Sequence, residues 1–302
     1  MSAWNQSLDA AGIREPELRR DYDTQRKLVA RFRRAPYLAA RLLLPRPVLP
    51  HVVAATAVMH HGDNLLDSGP KARRASAWAS WEQDVRKALD AGVSDDPLIR
   101  TLLNTAEAYP RLREVVEAYL STATAELEFA GFATEADYQA YVDAYSLPAF
   151  LLVASLLGPE SDDGQFRSGC RTFIDGSQRL DFVNDLAEDI PEGRLGIPAE
   201  TLERFSATVE DLAEGRESAR VRELVEHQIE AARASLRAAR ELPALTANPS
   251  GALLDAVVEI ELLTADAALT RGARLLRGSA SPPVVSTLRV LLGARRKART
   301  ER

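Results

Sequence analysis

QRLDFVNDLAEDIPEGRLGIP, residues 178–198, sets Asp181, Asp185 and Asp189 at successive steps of four, with Gln178 one turn earlier. Residues spaced by three and four share one helical face, so the spacing predicts a helix with an all-acid-and-amide side. Leu180, Phe182, Val183 and Leu186 between them are apolar, which makes the helix partly buried. Carboxylates on its inner face are costly unless cations neutralise them. A second stretch, HHGDNLLD at 60–67, repeats the pattern with Asp63 and Asp67 after the nearly uncharged run PHVVAATAVM. A solvated acidic stripe accounts for either stretch alone. Two separate helices carrying D-x-x-x-D favour a divalent metal between them.

The rest of the chain supplies a setting for such a pair. Its 302 residues, 46% hydrophobic and 27% charged, suffice for a large core, and strand-like alternation is missing. Helices are expected over 16–33, 48–66, 71–90, 109–129, 135–157, 164–189, 217–241 and 250–276, joined by turns such as GPESDDG and NPSG. The reading is a single all-α domain over 1–302, with its site between facing helices and a basic tail at about 293–302. A net charge of −6 gives no reason to expect nucleic acid. The basic runs at 19–34 and 293–302 suit either solvent or peripheral contact with an anionic membrane. Cys170, the single cysteine, has no partner for an internal disulfide and reads as a small core residue. With neither a signal-like N-terminus nor an apolar run of 18 residues, a cytoplasmic protein is expected.

The chemistry that suits paired acidic helices is ionisation of a diphosphate. Magnesium takes one or two carboxylates per ion and completes its shell with water and substrate phosphate. Apolar side chains deeper in the bundle would hold a hydrocarbon chain, and Arg194, with Arg41, would complete the anion cradle. His60 and His61 point about 100° apart on a helix, so they do not serve one ion together. Phosphate contact and helix packing both remain open for them.

With these stretches in place the chain resembles the squalene/phytoene synthase family of head-to-head isoprenyl diphosphate synthases. RRAPYLAARLLLP at 33–45 is similar to the family's N-terminal Ser-Phe-Tyr helix, and HHGDNLLD stands where its first aspartate-rich motif stands. FATEADYQAYVDAYSLPAFLLVASLLG at 132–158 resembles its Tyr-containing central helix, and 178–198 its second motif with the trailing Gly-Arg-x-x-x-Pro. Residues 261–292 resemble its closing helix, small-residue turn and final helix. The resemblance implies an isoprenoid synthase helical bundle with a central cavity. It implies Asp63, Asp67, Asp185 and Asp189 as magnesium and diphosphate ligands, and Tyr141 and Arg194 as further site residues. Tyr37, Arg41, His60, Gln178 and Asp181 would be substrate contacts by the same likeness. It also implies condensation of two prenyl diphosphates, which some members follow by reduction with NADPH; no motif here decides that step.

The departures fall on anion contacts and pocket wall. Ala35 replaces the family's serine, His60 and His61 its basic pair, Asp181 its asparagine, Asn184 its arginine and Gly196 its tyrosine. The small Ala-Gly-x-x-Gly run has become Ser146 to Phe150, where Pro148 is expected to kink the helix. If Leu147 and Phe150 face the cavity, a shorter or single donor is favoured.

Two other readings stay open. Asn184, Glu188 and Glu192 resemble the Asn-Ser-Glu magnesium triad of class I terpene cyclases, which act on one prenyl diphosphate. Against this, Pro191 and Gly193 end the helix early and aromatics are only 6% of residues, although Phe129, Phe132, Tyr138, Tyr141, Tyr145 and Phe150 crowd one stretch. The third reading is a family member without turnover that acts as a binding or assembly partner.

Overall fold

The computed structural model describes residues 2–32, 34–159, 164–246 and 250–300. Among them the chain is helical throughout, with no strand. The first half runs α1 (Ala3–Ala10), α2 (Pro16–Phe32), α3 (Arg34–Leu43), α4 (Val48–Asp67), α5 (Lys71–Ala91), α6 (Pro97–Ala108), α7 (Leu112–Thr122) and α8 (Glu135–Tyr141). The second runs α9 (Leu147–Ala154), α10 (Gln165–Asn184), α11 (Leu186–Asp189), α12 (Ala199–Arg204), α13 (Val209–Ala213), α14 (Ala219–Ala238), α15 (Gly251–Arg271) and α16 (Val284–Thr300).

α4 is the centre of the bundle because it is apolar on every side. Leu49, Val52, Val53, Ala54, Ala55, Ala57 and Val58 are all buried, and the helix packs against α2, α6, α5 and α9. Opposite it, α10 packs along α14 and touches α9, so α9 is wedged between the two acidic helices. Local signals fix the ends. Asp96 caps the Leu98 and Ile99 N–H groups of α6, and Thr134 forms a reciprocal capping box with Asp137 at the start of α8.

The expected helices exist, with three corrections. The segment expected over 109–129 stops at Thr122 and continues as a 3-10 turn, Ala123–Ala125. That over 164–189 breaks at Asp185, whose φ of −101° and ψ of 15° separate α10 from α11. Between α8 and α9 lies a π-helical turn, Val142–Ser146, in which the Leu147 N–H reaches back five residues to the Val142 carbonyl. Pro148 is the cause: it has no N–H and its ring crowds the carbonyl four residues back, so the expected kink takes the form of a widened turn. Sequence periodicity missed α1, α3, α6, α12, α13 and α16; α1, α12 and α13 are short, whereas α6 is an amphipathic helix of 12 residues, and α3 and α16 came only from the family likeness. The expected basic tail is helical as far as Thr300; Glu301 and Arg302 lie outside the described residues. Cys170 is buried and free, and no described helix is long and apolar enough to cross a membrane.

Candidate active site

The last two turns of α4 carry Asp63 and Asp67. Tyr145, turned toward α4 by the π-helical segment, donates its hydroxyl to Asp63 Oδ1 at 2.8 Å. Between His61 and Asp63 the helix has Gly62, and the notch this leaves is filled by the Tyr119 hydroxyl of α7. A Cβ at Gly62 would lie 2.2 Å from that oxygen, so only glycine admits the phenol. The Tyr119 hydroxyl is buried without a hydrogen-bond partner among the described residues, and burial with the charges of Asp63, Asp67 and Glu126 holds its pKa well above the ordinary phenol range.

Arg194 joins the two acidic segments. After Asp189 the chain makes a 3-10 turn, Ile190–Glu192, and Gly193 takes the left-handed conformation at φ 72°. This lets the Arg194 N–H close onto the Asp189 carbonyl at 2.9 Å and turns its side chain back across the site. The guanidinium donates to Glu126 Oε1 at 2.5 Å, lies 3.9 Å from Asp67 Oδ1 and covers the Phe129 ring at 5.0 Å. It also acts electrostatically on Asp189. Glu126 itself is buried and accepts a further bond from the Tyr141 hydroxyl.

Asp67, Asp185 and Asp189 hold their protons more tightly than ordinary carboxylates. Burial pushes the Asp189 carboxyl up to about 6, with Asp185 and two glutamates adding to the shift and Arg194 opposing it. Asp67 is raised by loss of solvent and by Glu126, and Asp185 by loss of solvent and by Glu188. Behind them Phe129, Phe132, Tyr138, Tyr141 and Phe182 form one aromatic cluster, with Phe129 stacked on Phe182 at 5.7 Å and Tyr141 meeting Tyr145 at 5.6 Å. The aromatics crowded in sequence therefore meet in space, apart from Phe150.

Other expected site residues are placed as follows. Gln178 accepts from the Ser146 hydroxyl at 2.9 Å, which ties α10 to the π-helical turn. Asp181 is exposed and faces Glu261, whose carboxyl is pushed up to about 8 by burial and by that charge. Asn184 is committed elsewhere: its amide donates to the Ala280 carbonyl at 3.1 Å and accepts from the Ala280 N–H at 2.8 Å. Glu192 is exposed beyond the end of α11. His60 contacts Asn64 and the Phe32 ring, whereas His61 packs on Trp81 and is lowered in pKa by burial. Leu147 is buried, and the Phe150 ring lies on Phe173 of α10 at 5.1 Å. Tyr37 and Arg41 are not brought to the aspartates. They line a cavity of about 620 Å³ that also touches Leu49. Leu49 is fourteen residues before Asp63 on α4, about 21 Å along the helix.

A match to the squalene/phytoene synthase family model extends over residues 30–289. The chain belongs to the squalene/phytoene synthase family. Among its relatives in this family are the bifunctional protein CrtB/UppS of Streptomyces coelicolor, 27% identical over 219 residues, and a 15-cis-phytoene synthase of Synechocystis, 24% identical over 224. These alignments cover 72% and 70% of this chain but 38% and 66% of the relatives, so the chain spans less than two thirds of their length. The fold matches the crystal structure of squalene synthase HpnC from Alicyclobacillus acidocaldarius with a TM-score of 0.75 at 24% identity, over 89% of this chain and 99% of that one. A dehydrosqualene synthase matches with a TM-score of 0.79 at 15% identity, over 94% and 98%.

The donor set fits magnesium in kind. Asp63, Asp67, Asp185 and Asp189 offer the hard oxygens it prefers, and burial raises the proton affinity of Asp67, Asp185 and Asp189, a cost that a bound cation would offset. Among the described residues no three carboxylate, histidine or cysteine groups converge on one ion-sized point.

Proposed function

We propose that this family member is a magnesium-dependent prenyltransferase that condenses two prenyl diphosphates with release of diphosphate, in the cytoplasm. The observation that carries the reading is Arg194, whose side chain touches Glu126 and Asp67 while its N–H bonds the Asp189 carbonyl, which supports one centre served by both acidic helices. Magnesium held by Asp63, Asp67, Asp185 and Asp189 would supply Lewis-acid neutralisation of the diphosphate charge. The chain's own groups do the rest. Arg194, fixed by Glu126, receives the leaving diphosphate as the carbon–oxygen bond breaks and its electron pair departs with the phosphate oxygen. Tyr145 orients Asp63, and Tyr141 orients Glu126. The rings of Phe129, Phe132 and Phe182 exclude water and offer electron-rich faces to the allylic cation, which takes the double-bond electrons of the second chain; the positive charge this leaves on that chain is discharged as it loses a proton to the released diphosphate.

The cyclase reading loses support from Asn184, whose amide is spent on Ala280, and from the exposed Glu192. The deciding experiment incubates the protein with magnesium and geranyl, farnesyl or geranylgeranyl diphosphate, with and without NADPH, and measures pyrophosphate and organic product. A doubled carbon skeleton supports the proposal, and dependence on NADPH assigns the reductive step. A cyclic product from one chain establishes the cyclase, and absence of release with every donor establishes the non-catalytic partner.

A further inference from the structure

α16 carries an apolar row that nothing among the described residues covers. Val284, Val285, Leu288 and Leu292 are each more than half exposed, and at steps of 100° they fall within an arc of about 100° on the helix. The adjoining side, with Ala294 and Ala298, is buried on the bundle. Large apolar side chains scattered singly on a surface need no explanation, but four on one helical face do.

The same face turns basic as the helix proceeds. Arg295 lies two turns beyond Leu288 on nearly the same line, about 10 Å along the axis, and Arg289 and Arg296 flank the row. Arg295 also lines the 620 Å³ cavity between α1, α2, α3 and α16, where Arg41 and Arg46 join it. None of these five arginines has an acidic partner among the described residues, whereas Arg26 in the same cavity is bonded to Asp23. An unpaired arginine cluster is conspicuous on a chain of net charge −6. The cavity wall further includes Trp4, whose buried indole Nε1 donates to no described atom.

We infer that α16 docks on an anionic phospholipid surface, with Val284, Leu288 and Leu292 entering the acyl boundary and a lipid phosphate seated against Arg46 and Arg295. An interfacial helix buries its apolar side some 5–10 Å deep and meets anionic headgroups with its basic side, which is the division α16 presents along its length. A second copy of the chain or a partner protein would be met by the same apolar row, but neither calls for unpaired guanidinium groups around a cavity; a phosphate-bearing surface does. The site also has a position relative to the aspartates. Asn184, adjacent to Asp185, holds Ala280 in the turn that leads into α16. The lipid-facing helix therefore starts beside the acidic site. The inference does not rest on the reaction proposed above and stands or falls without it.

The test is sedimentation of the full chain with vesicles of phosphatidylcholine alone and with one third phosphatidylglycerol. Binding is expected only to the anionic vesicles, weakening at least tenfold in Leu288→Ser with Leu292→Ser and at least tenfold in Arg46→Gln with Arg295→Gln. All four positions are exposed, so circular dichroism should show both variants folded. Binding to neither vesicle overturns the inference, as does equal binding to both. So does a wild-type dimer in light scattering that Leu288→Ser with Leu292→Ser makes monomeric, which assigns the row to a second copy. Stabilisation by millimolar inorganic phosphate without vesicle binding also overturns it, assigning the cavity to a soluble anion.

Discussion

Phe182 occupies the space that a side chain at Gly196 would need: a Cβ there would lie 2.0 Å from the ring Cγ. The contact is with the root of the ring, inside the aromatic cluster, and neither partner has room to yield. Gly196→Ala should cost about 2 kcal/mol of stability. In a Phe182→Ala background most of that cost should vanish, a coupling of at least about 1 kcal/mol. Chemical denaturation of the four proteins measures it, and simple additivity would show that the ring is free to move.

Asp189 holds its proton more tightly folded than unfolded, with a pKa of about 6 against an ordinary 3.8. A raised carboxylate pKa means the folded state binds more protons between these values, so metal-free stability should fall as pH climbs from 3.8 to about 6 and stay low above. Asp189→Asn should flatten that slope and raise the metal-free melting temperature at pH 7.5 by about 2 °C. The same substitution, or Asp63→Asn, should cut turnover roughly a hundredfold or more. Near-normal turnover under saturating magnesium would remove the metal assignment.

Glu126 anchors Arg194, so Glu126→Gln should lower turnover on the order of tenfold to a hundredfold. It should also destabilise by about 2 kcal/mol, less than a fully buried pair because the Arg194 side chain is 26% exposed. Tyr141→Phe removes one bond to the same carboxylate and should cost about 1 kcal/mol with a smaller rate effect. Equal rate losses in steady-state assays would mean that holding Arg194 is not what the carboxylate does.

Glu192→Gln should leave turnover unchanged. Asn184→Ala should lose about 1–2 kcal/mol of stability by freeing Ala280, while keeping measurable activity. Rates measured beside Asp189→Asn discriminate sharply, because a triad of Asn184, Glu188 and Glu192 would make the Glu192→Gln and Asn184→Ala variants inactive.

Phe150 lies on Phe173, and Leu147 is buried beside the π-helical turn. Phe150→Ala with Leu147→Ala should therefore lose about 4 kcal/mol or more to the opened cavity. The order of preference among donors of increasing length should stay as in wild type. A shift toward longer donors in a folded protein would place both side chains in the substrate path.

The aspartate pairs were legible because four-residue spacing survives in a linear string. The break at Asp185 was not, since a one-residue interruption leaves that spacing intact. Glu126 was hidden for a different reason. It follows a 3-10 turn, two positions before exposed Glu128, and only the fold brings it to Arg194. The Gly62 notch was equally invisible, because its meaning lies in Tyr119, fifty-seven residues away on another helix. Tyr37 and Arg41 were read toward the site from a motif likeness. The likeness said that α3 was a helix but not which end of α4 its residues would meet.

The widened turn at Val142–Ser146 sets the phase of everything after it. With 3.6 residues per turn, one residue corresponds to a rotation of 100°. Deleting Ala144 would turn an uninterrupted helix so that the groups now reaching Asp63 and Gln178 pointed elsewhere, although no site residue had been replaced. In this protein the orientation of two polar contacts is stored in chain length, so its lineage can retune them by an insertion or deletion as readily as by substitution.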